Sequence, residues 1–275
     1  MSIRTRFPQQ TLDLLFDAIL IDDVIDQHIE LPAYLPTKFS FEQLDKCLSL
    51  CQQLWLDGVA NTELRCLIKK IVVNKNLNSE ERLLYKYIRA KYKHMGFAFI
   101  LYTDSHKRPF LFEATSTLMG EAQDAFRNQV KDKIIYNGIL LSTITAWPFS
   151  HFTQKYVQDA HLDAQSFIRH FRKDGKRIPE FLALNSVTSS QFHGLRKMIS
   201  RHVSFFDTLR TLYPDEIYYK MSRFLSAING LMGNLHDDFV QKSLLKQLDY
   251  HQDKIEIPQN IINLLKQAAF LYEKD

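Results

Sequence analysis

The chain has 275 residues, of which 45% are hydrophobic and 24% are charged, with only eight Gly and eight Pro. This composition excludes a disordered or collagen-like chain, and the length suits one large or two smaller domains. The net charge of +4 is unevenly distributed, because residues 1–64 contain four Lys/Arg and ten Asp/Glu whereas the rest contains 31 basic and 21 acidic residues. An acidic N-terminal segment on a basic body indicates a polyanionic partner for the body.

The apolar residues recur at helical spacing and chain breakers are scarce, which predicts an all-α protein of about ten helices. In chain order, the predicted helices span residues 9–27, 40–56, 62–74, 80–102, 112–135, 138–149, 151–173, a short stretch from 179, 189–212, 216–248 and 258–273. The run "KIIYNGILLSTIT" (133–145) is the best candidate for a strand, but helix is favoured there too. The stretch "KDGKRIPE" (173–180) predicts a turn between two helices.

The three cysteines are too few for a disulfide framework, and no further His or Cys pair completes a metal site. Buried thiols are therefore expected for Cys47, Cys51 and Cys66, with no bound metal. The apolar N-terminal stretch is interrupted by two Asp residues and does not read as a secretory signal. The uncharged run 134–154 is too polar for a membrane span, so a cytoplasmic protein without membrane contact is expected.

A weak internal repeat indicates a duplicated helical unit of a little over about 100 residues. "ELRCLIKKIV" (63–72) resembles "GLRKMISRHV" (194–203), with matching basic and apolar positions. A competing register aligns "TLMGEAQDAF" (117–126) with "GLMGNLHDDF" (230–239) instead. Both registers fit an acidic N-terminal helical segment at 1–60, a first bundle at 61–150 and a second bundle at 151–275.

The predicted helix at 189–212 has two distinct faces. His193, Arg196, Lys197, Ser200, Arg201 and Ser204 recur at the spacing of one helix face. Apolar residues fill the opposite face, and residues 181–206 contain no acid. The pattern predicts an exposed cationic face that has no acidic partner of its own.

These residues resemble the CHAD domain, the conserved histidine α-helical domain. The resemblance rests on the H-x-x-R-K stretch His193, Arg196 and Lys197, on Arg201, and on Leu231-x-Gly233 followed by His236 and Asp237. It covers about residues 192–240, and in the first copy the histidine position holds Thr62 or Lys86, depending on the register. The resemblance implies two pseudo-symmetric four-helix bundles that bind inorganic polyphosphate in a basic channel between them, without catalysis or a cofactor.

The candidate polyphosphate ligands lie on several acid-poor helix faces. They are His193, Arg196, Lys197, Arg201, Arg65, Lys69, Lys70, Arg89, Lys93 and Arg172. Rows of Lys and Arg bind a phosphate chain by the same electrostatics that bind a nucleic-acid backbone, and the guanidinium fork accepts two phosphate oxygens at once. Nucleic acid is therefore expected to compete for the same groups, while the oligomeric state stays open.

Two alternatives from other classes fit the sequence as well. A metal-independent RNase of the HEPN type uses an R-x(4–6)-H motif, which Arg89 with His94 and Arg196 with His202 satisfy. A helical protein-interaction scaffold is the second alternative, in which the acidic N-terminal segment covers the basic face in cis. The chain contains no P-loop, dinucleotide-binding, nucleophile-elbow or H-E-x-x-H motif, so we expect a protein that is not an enzyme.

Overall fold

The computed structural model describes residues 6–26, 28–184 and 186–273. This part of the chain contains eleven α-helices and one pair of two-residue strands, which confirms the predicted all-α class. The helices are α1 Gln9–Leu20, α2 Phe41–Gly58, α3 Asn61–Asn74, α4 Ser79–Tyr102, α5 Phe110–Arg127, α6 Lys131–Ile144, α7 Phe149–Asp159, α8 Ala164–Leu182, α9 Ser189–Leu212, α10 Glu216–Leu244 and α11 Gln259–Glu273. β1 (Val187–Thr188) pairs with β2 (Lys254–Ile255) in antiparallel orientation.

The helices form two compact units. The first unit contains Leu48–Asp163 together with the described residues up to Leu12, and the second contains Asp13–Cys47 and the chain from Ala164 onward. The chain therefore passes from one unit to the other within α1, within α2 and between α7 and α8.

An aromatic cluster forms much of the core of the first unit. Tyr92 packs against Trp55 and Phe112 with ring centroids 5.3 and 5.0 Å apart, and Phe99 lies 5.1 Å from Phe112. These residues come from α2, α4 and α5, so the cluster fixes three helices at one point. Aromatic pairs in such edge and tilted geometries stabilise a core beyond the area that they bury.

The single helix predicted over 112–135 is wrong, since α5 and α6 are separate helices. Gln129 adopts the left-handed conformation with φ 54°, and the Val130 amide donates to the Ala125 carbonyl at 3.0 Å. This arrangement closes α5 in the manner of a helix C-cap. Neither Gly nor Pro lies at 128–130, which is why the sequence pattern gave no signal of the break.

The helix predicted over 151–173 is also two helices, because the chain leaves α7 at Asp159 and starts α8 at Ala164. The Gln52 side-chain amide, which is buried, donates to the carbonyls of Val157 and Ala160 at 2.6 and 2.8 Å. A residue about 105 positions away in the sequence thus satisfies the carbonyls at the end of α7.

In the second unit α9 packs against α10, and α8 packs against α11. Thr188 is the N-cap of α9 and forms a capping box with Gln191, and the helix itself begins at Ser189 as predicted. A second aromatic cluster lies beneath α9, where Phe205 packs on Phe167 and on Phe39 with centroids 5.1 and 5.0 Å apart.

The stretch "KDGKRIPE" does not form the predicted turn but continues α8, with Pro179 inside the helix. Gly175 has a packing role there, since a Cβ at this position would lie 2.5 Å from Cδ1 of Tyr272 on α11. The Asp-Gly pair therefore marks a close helix–helix approach rather than a chain reversal.

The first helix is shorter than predicted, because α1 ends at Leu20 and the residues after it dock on α10. Arg223 donates to the carbonyls of Ile21 and Val24 at 2.9 and 3.0 Å, and to the Asp26 carboxylate at 2.9 Å. These hydrogen bonds to α10 stabilise a non-helical segment at 21–26, which begins with turns, in place of the helix that the sequence pattern predicted.

Candidate functional site

Two histidines from neighbouring helices of the second unit stack on each other. His193 of α9 and His236 of α10 have ring centroids 4.2 Å apart, with 20° between the ring planes. His236 Nε2 is also hydrogen-bonded to the Tyr250 hydroxyl at 2.7 Å. The stack brings together the two stretches of sequence that carry the CHAD resemblance.

Arg196 lies beside this stack, with its guanidinium over a glycine of α10. A Cβ at Gly233 would lie 2.8 Å from Nη2 of Arg196, so any larger residue there would displace the guanidinium. Gly233 thus accommodates an arginine side chain on the helix surface. Lys197, the next residue on α9, is exposed. We call His193, Arg196, Lys197, His236 and Tyr250 the α9–α10 cationic surface.

The two stacked imidazoles are uncharged at neutral pH. The pKa of His193 is lowered to about 3, chiefly by burial and in smaller part by charge repulsion from His236, Lys197 and Arg196. Burial likewise lowers the pKa of His236 to about 4, with Arg196 as the next largest cause. The histidines therefore contribute polar N–H and N groups to the surface, and the positive charge comes from Arg196 and Lys197.

Some polar atoms of this surface have no hydrogen-bond partner among the described residues. Among these atoms are Nδ1 of His193 and Nε of Arg196, and both are buried. The Asp237 carboxylate lies 3.9 Å from Nδ1 of His236 and partly offsets the lowering of the His236 pKa. Because buried polar atoms in proteins are nearly always paired, these atoms mark a place where a ligand oxygen or water completes the arrangement.

The remaining half of the predicted cationic face lies inside the second unit, which corrects the expectation of one continuous exposed face. Ser200, Arg201 and Ser204 are all buried. Ser200 donates to the Asn229 side chain at 2.7 Å, and Arg201 forms a 2.7 Å ion pair with Asp174 of α8. The face therefore has an acidic partner, Asp174. The sequence pattern did not indicate this partner, because it predicted a turn at Asp174 instead of the helix α8.

Asp174 is the centre of a buried polar cluster. Its carboxylate lies 2.7 Å from Arg201, 3.5 Å from His202 and 3.6 Å from His170. Burial raises the pKa of Asp174, but His202 and Arg201 outweigh burial and hold this pKa well below its usual range. Arg201 is therefore engaged in holding α8 to α9, and a phosphate ligand would have to compete with Asp174 for it.

The basic residues of α8 differ in position. Arg172 is exposed and Arg177 lies against α9, with Nη2 3.7 Å from a Cβ built at Gly194. Arg177 also lies 3.6 Å from the Asp174 carboxylate. Arg177 is thus a neighbour of the α9–α10 cationic surface, whereas no such contact with α9 is seen for Arg172 in the described part of the chain.

In the first unit, the predicted ligands of α3 have different surroundings. Arg65 and Lys69 are exposed, and neither forms an ion pair with any residue that the structure describes. Lys70 is ion-paired with Glu81 of α4. Lys70 therefore has the acidic partner that its acid-free sequence context did not predict.

The predicted ligands on α4 are half-buried. The Arg89 guanidinium packs on Gly120 of α5, with Nη2 3.3 Å from a Cβ built there. The ammonium of Lys93 lies 5.8 Å from the centre of the Phe97 ring, within cation–π range. Both cations therefore also take part in packing within the first unit.

Neither Arg–His pair of the RNase alternative presents its histidine at the surface. His94 is 3% exposed and contacts Cys51 Sγ at 3.4 Å, and His202 is fully buried against Tyr272. A histidine that cleaves RNA must reach the substrate, so this geometry argues against both pairs.

The cysteines are only in part as expected, since Cys47 and Cys51 are buried but Cys66 is exposed. Among the described residues, no group of three or more His, Cys, Asp or Glu side chains is arranged to hold a metal ion. None of the described helices is both long and apolar enough to cross a membrane.

Comparison of the chain with protein-family models, curated proteins and solved structures finds no match.

Proposed function

We propose that the protein binds inorganic polyphosphate, or a polyanion of similar geometry, on the α9–α10 cationic surface. The observation that carries the proposal is the placement of Arg196. Its guanidinium lies over Gly233 beside the His193–His236 stack, and it forms no ion pair with a described carboxylate. The resemblance to the CHAD domain supports the same ligand.

The chemistry of the surface favours a phosphate chain. Arg196 offers a fork of donors that matches two phosphate oxygens, and Lys197 adds a second positive charge one residue away. The Tyr250 hydroxyl and the imidazoles provide further polar groups within the same surface. Rigid packing of α9 on its apolar side holds these groups in place, so little order has to be gained on binding.

The proposal contains no catalytic step, in line with the buried histidines of both RNase motifs. The proposal also includes cations of the first unit. Arg89 and Lys93 of α4 are proposed as further phosphate ligands on the strength of the sequence repeat, whereas Arg65 and Lys69 line a separate groove on α3. Variants in the two units therefore have to be tested independently.

Titration with long-chain polyphosphate at two ionic strengths tests the proposal. We expect Arg196→Ala to weaken binding by about 1–3 kcal/mol, because a charge-assisted contact is lost, while the free energy of unfolding changes little. Lys266→Ala is the matched control, since it removes one exposed cation from α11 of the same unit. Single-stranded RNA serves as a competitor in the same assay.

Two results would contradict the proposal. One is unchanged affinity of the Arg196→Ala variant, which would place the ligand elsewhere. The other is RNA that competes as well per phosphate as polyphosphate itself, which would indicate a nucleic-acid-binding protein instead.

A further inference from the structure

The first unit contains an open groove along α3 and α6, and the two helices touch near each of its ends. At one end the Asn61 side-chain amide donates to the Thr145 carbonyl at 3.4 Å. At the other end a Cβ on Gly138 would lie 2.9 Å from Cγ2 of Val72, so the two helices touch there. Between these points the helices leave a cavity of about 640 Å³, within the size range of small-molecule sites.

The groove has an apolar floor and a cationic rim. The floor and one end are aliphatic, from Ile68, Val72, Val73 and Ile139. Val73 is 66% exposed and Ile139 is 51% exposed, so nothing in the described unit covers these side chains. Apolar side chains lining an exposed concave site indicate a ligand with an apolar part.

The rim carries positive charge from Arg65 and Lys69, which also line the groove. Neither side chain forms an ion pair with a described residue, and no acidic residue lines the cavity. Hydroxyl groups of Thr62 and Ser142 lie on the same rim. The charges and hydroxyls match a small anionic group next to an apolar body.

We propose that this groove binds a free long-chain carboxylate, that is, a fatty acid. The acyl chain lies along Val72, Val73 and Ile139, and the carboxylate lies between Arg65 and Lys69. An inorganic phosphate chain fits this groove less well, because it would leave the aliphatic floor exposed to water. The inference does not rest on polyphosphate binding by the α9–α10 cationic surface, which belongs to the second unit.

Cys66 provides a built-in reporter for this site. It lines the groove, and it is the exposed one of the three cysteines in the chain, while Cys47 and Cys51 are buried. A thiol reagent such as a maleimide therefore modifies Cys66 first, since access and thiolate character govern such reactions. A ligand in the groove covers the thiol and slows the reaction.

The experiment measures the rate of maleimide modification of the full chain with dodecanoate, dodecanol or inorganic triphosphate. Dodecanoate is expected to slow the reaction at least about fivefold at saturation, and neither dodecanol nor triphosphate is expected to do so at the same concentration. Isothermal titration with dodecanoate then gives the affinity. In the Arg65→Ala/Lys69→Ala variant this affinity is expected to fall at least about tenfold.

Lys70→Ala is the matched control, because Lys70 is on the same helix but does not line the groove and is paired with Glu81. Its affinity for dodecanoate is expected to equal that of the parent chain. Ile139→Asp, which places a charge on the exposed aliphatic wall, is expected to abolish dodecanoate binding with helicity unchanged.

Three results overturn the inference. Failure of dodecanoate to protect Cys66 means that the groove does not hold it. Equal protection by dodecanol means that the cations do not recognise the head group. Equal protection by triphosphate means that the aliphatic floor plays no part. In none of these cases is polyphosphate binding by the Arg196 surface affected, so the two proposals fail separately.

Discussion

Asp174 is the buried carboxylate that pairs with the buried Arg201 guanidinium in the second unit. It is 2% exposed and forms the 2.7 Å ion pair with Arg201, with two histidines close by. Asp174→Ala leaves the buried Arg201 guanidinium without its partner, so we expect a loss of about 3–5 kcal/mol in the free energy of unfolding. Denaturant titration measures this loss.

Asp238→Ala is the control for this prediction, because Asp238 forms an exposed pair with Lys242. Its removal is expected to change stability by no more than about 1 kcal/mol. Equal effects of the two substitutions would show that burial of the Asp174 pair has no energetic consequence.

The pKa of Asp174 is lowered in the folded state, so its stabilisation is present above about pH 4 and is lost as the pH falls further.

Asp207 has the opposite pH dependence. Burial raises the pKa of this carboxyl from 3.8 to about 6, and Asp22 adds to the rise while Arg210 and a hydrogen bond from Ser222 oppose it. Between about pH 4 and pH 6 the folded protein then holds a proton that the unfolded chain has released. The contribution of Asp207 to stability therefore decreases as the pH rises through this window, by on the order of 3 kcal/mol.

Asp207→Asn removes this titration while it keeps an oxygen to accept from Ser222. We expect the difference in unfolding free energy between the parent and this variant to shift in favour of the variant as the pH increases from 4 to 7. Unfolding curves at several pH values measure this difference. A difference that stays constant over the whole pH range would show that Asp207 is ionised throughout.

Single residues of the site differ in how far the sequence could predict their surroundings. His193, Arg196 and Lys197 lie on one helix face as the spacing predicts, because three- and four-residue steps fix that face locally. The burial of Arg201 depends on Asp174, 27 residues away and inside a predicted turn. Such a pairing is decided by how α8 packs on α9, which no local pattern encodes.

At the scale of elements, Gly230 lets the acidic segment lie directly on α10. A Cβ at Gly230 would lie 2.1 Å from the Asp23 carbonyl oxygen, and backbone cannot move aside as a side chain can. We expect Gly230→Ala to displace segment 21–26 and to lower the free energy of unfolding by about 1–3 kcal/mol, which thermal and denaturant unfolding will show.

Gly194 of α9 supplies the control, since a Cβ there meets only Arg177 Nη2 at an ordinary 3.7 Å. Gly194→Ala is expected to be neutral or to stabilise by up to about 1 kcal/mol, because Ala has the higher helix propensity. If both substitutions behave alike, helix propensity rather than the contact with Asp23 governs Gly230.

The existence of the helices was predictable, while several of their ends were not. α3, α4, α9 and α11 begin and end within about two residues of the predicted limits, because caps and apolar periodicity are local. The ends of α1, α5 and α7 are set by hydrogen bonds that the sequence pattern does not show. The Gln52 side chain ends α7 from about 105 residues away, and the docking of 21–26 on α10 ends α1.

At the scale of the whole chain, the acidic N-terminal charge has a defined location. Asp26 pairs with Arg223 of α10, and Glu30 with Lys220 of the same helix. In the part of the chain that the structure describes, the acidic segment therefore neutralises cations of α10 other than the α9–α10 cationic surface. Cover of the basic face in cis, as expected for the scaffold alternative, applies to Arg223 and Lys220 and not to Arg196.

If the α9–α10 cationic surface binds polyphosphate as proposed, we expect the affinity to depend on both salt and pH. About three cations, namely Arg196, Lys197 and the neighbouring Arg177, lie where they can contact the phosphate chain. A plot of the logarithm of the binding constant against the logarithm of the salt concentration is therefore expected to have a slope of about −2, and Arg196→Ala is expected to make this slope shallower. Burial is the main reason that the pKa values of His193 and His236 are about 3 and about 4 in the free protein, and Arg196 and Lys197 are smaller causes in the same direction. A bound phosphate chain neutralises these cations and raises both pKa values, so affinity increases as the pH falls towards these pKa values, with uptake of protons.

Isothermal titration in buffers of different ionisation enthalpy counts the protons taken up. His193→Gln is expected to reduce this uptake and the pH dependence while the salt slope stays near that of the parent chain, because a neutral side chain replaces a titrating one. His161→Gln, which changes an exposed histidine of the first unit, is expected to alter neither quantity. Binding that weakens towards acid pH would mean that the histidine pair does not contact the phosphate chain. A salt slope near zero would mean that Arg196 does not contact it.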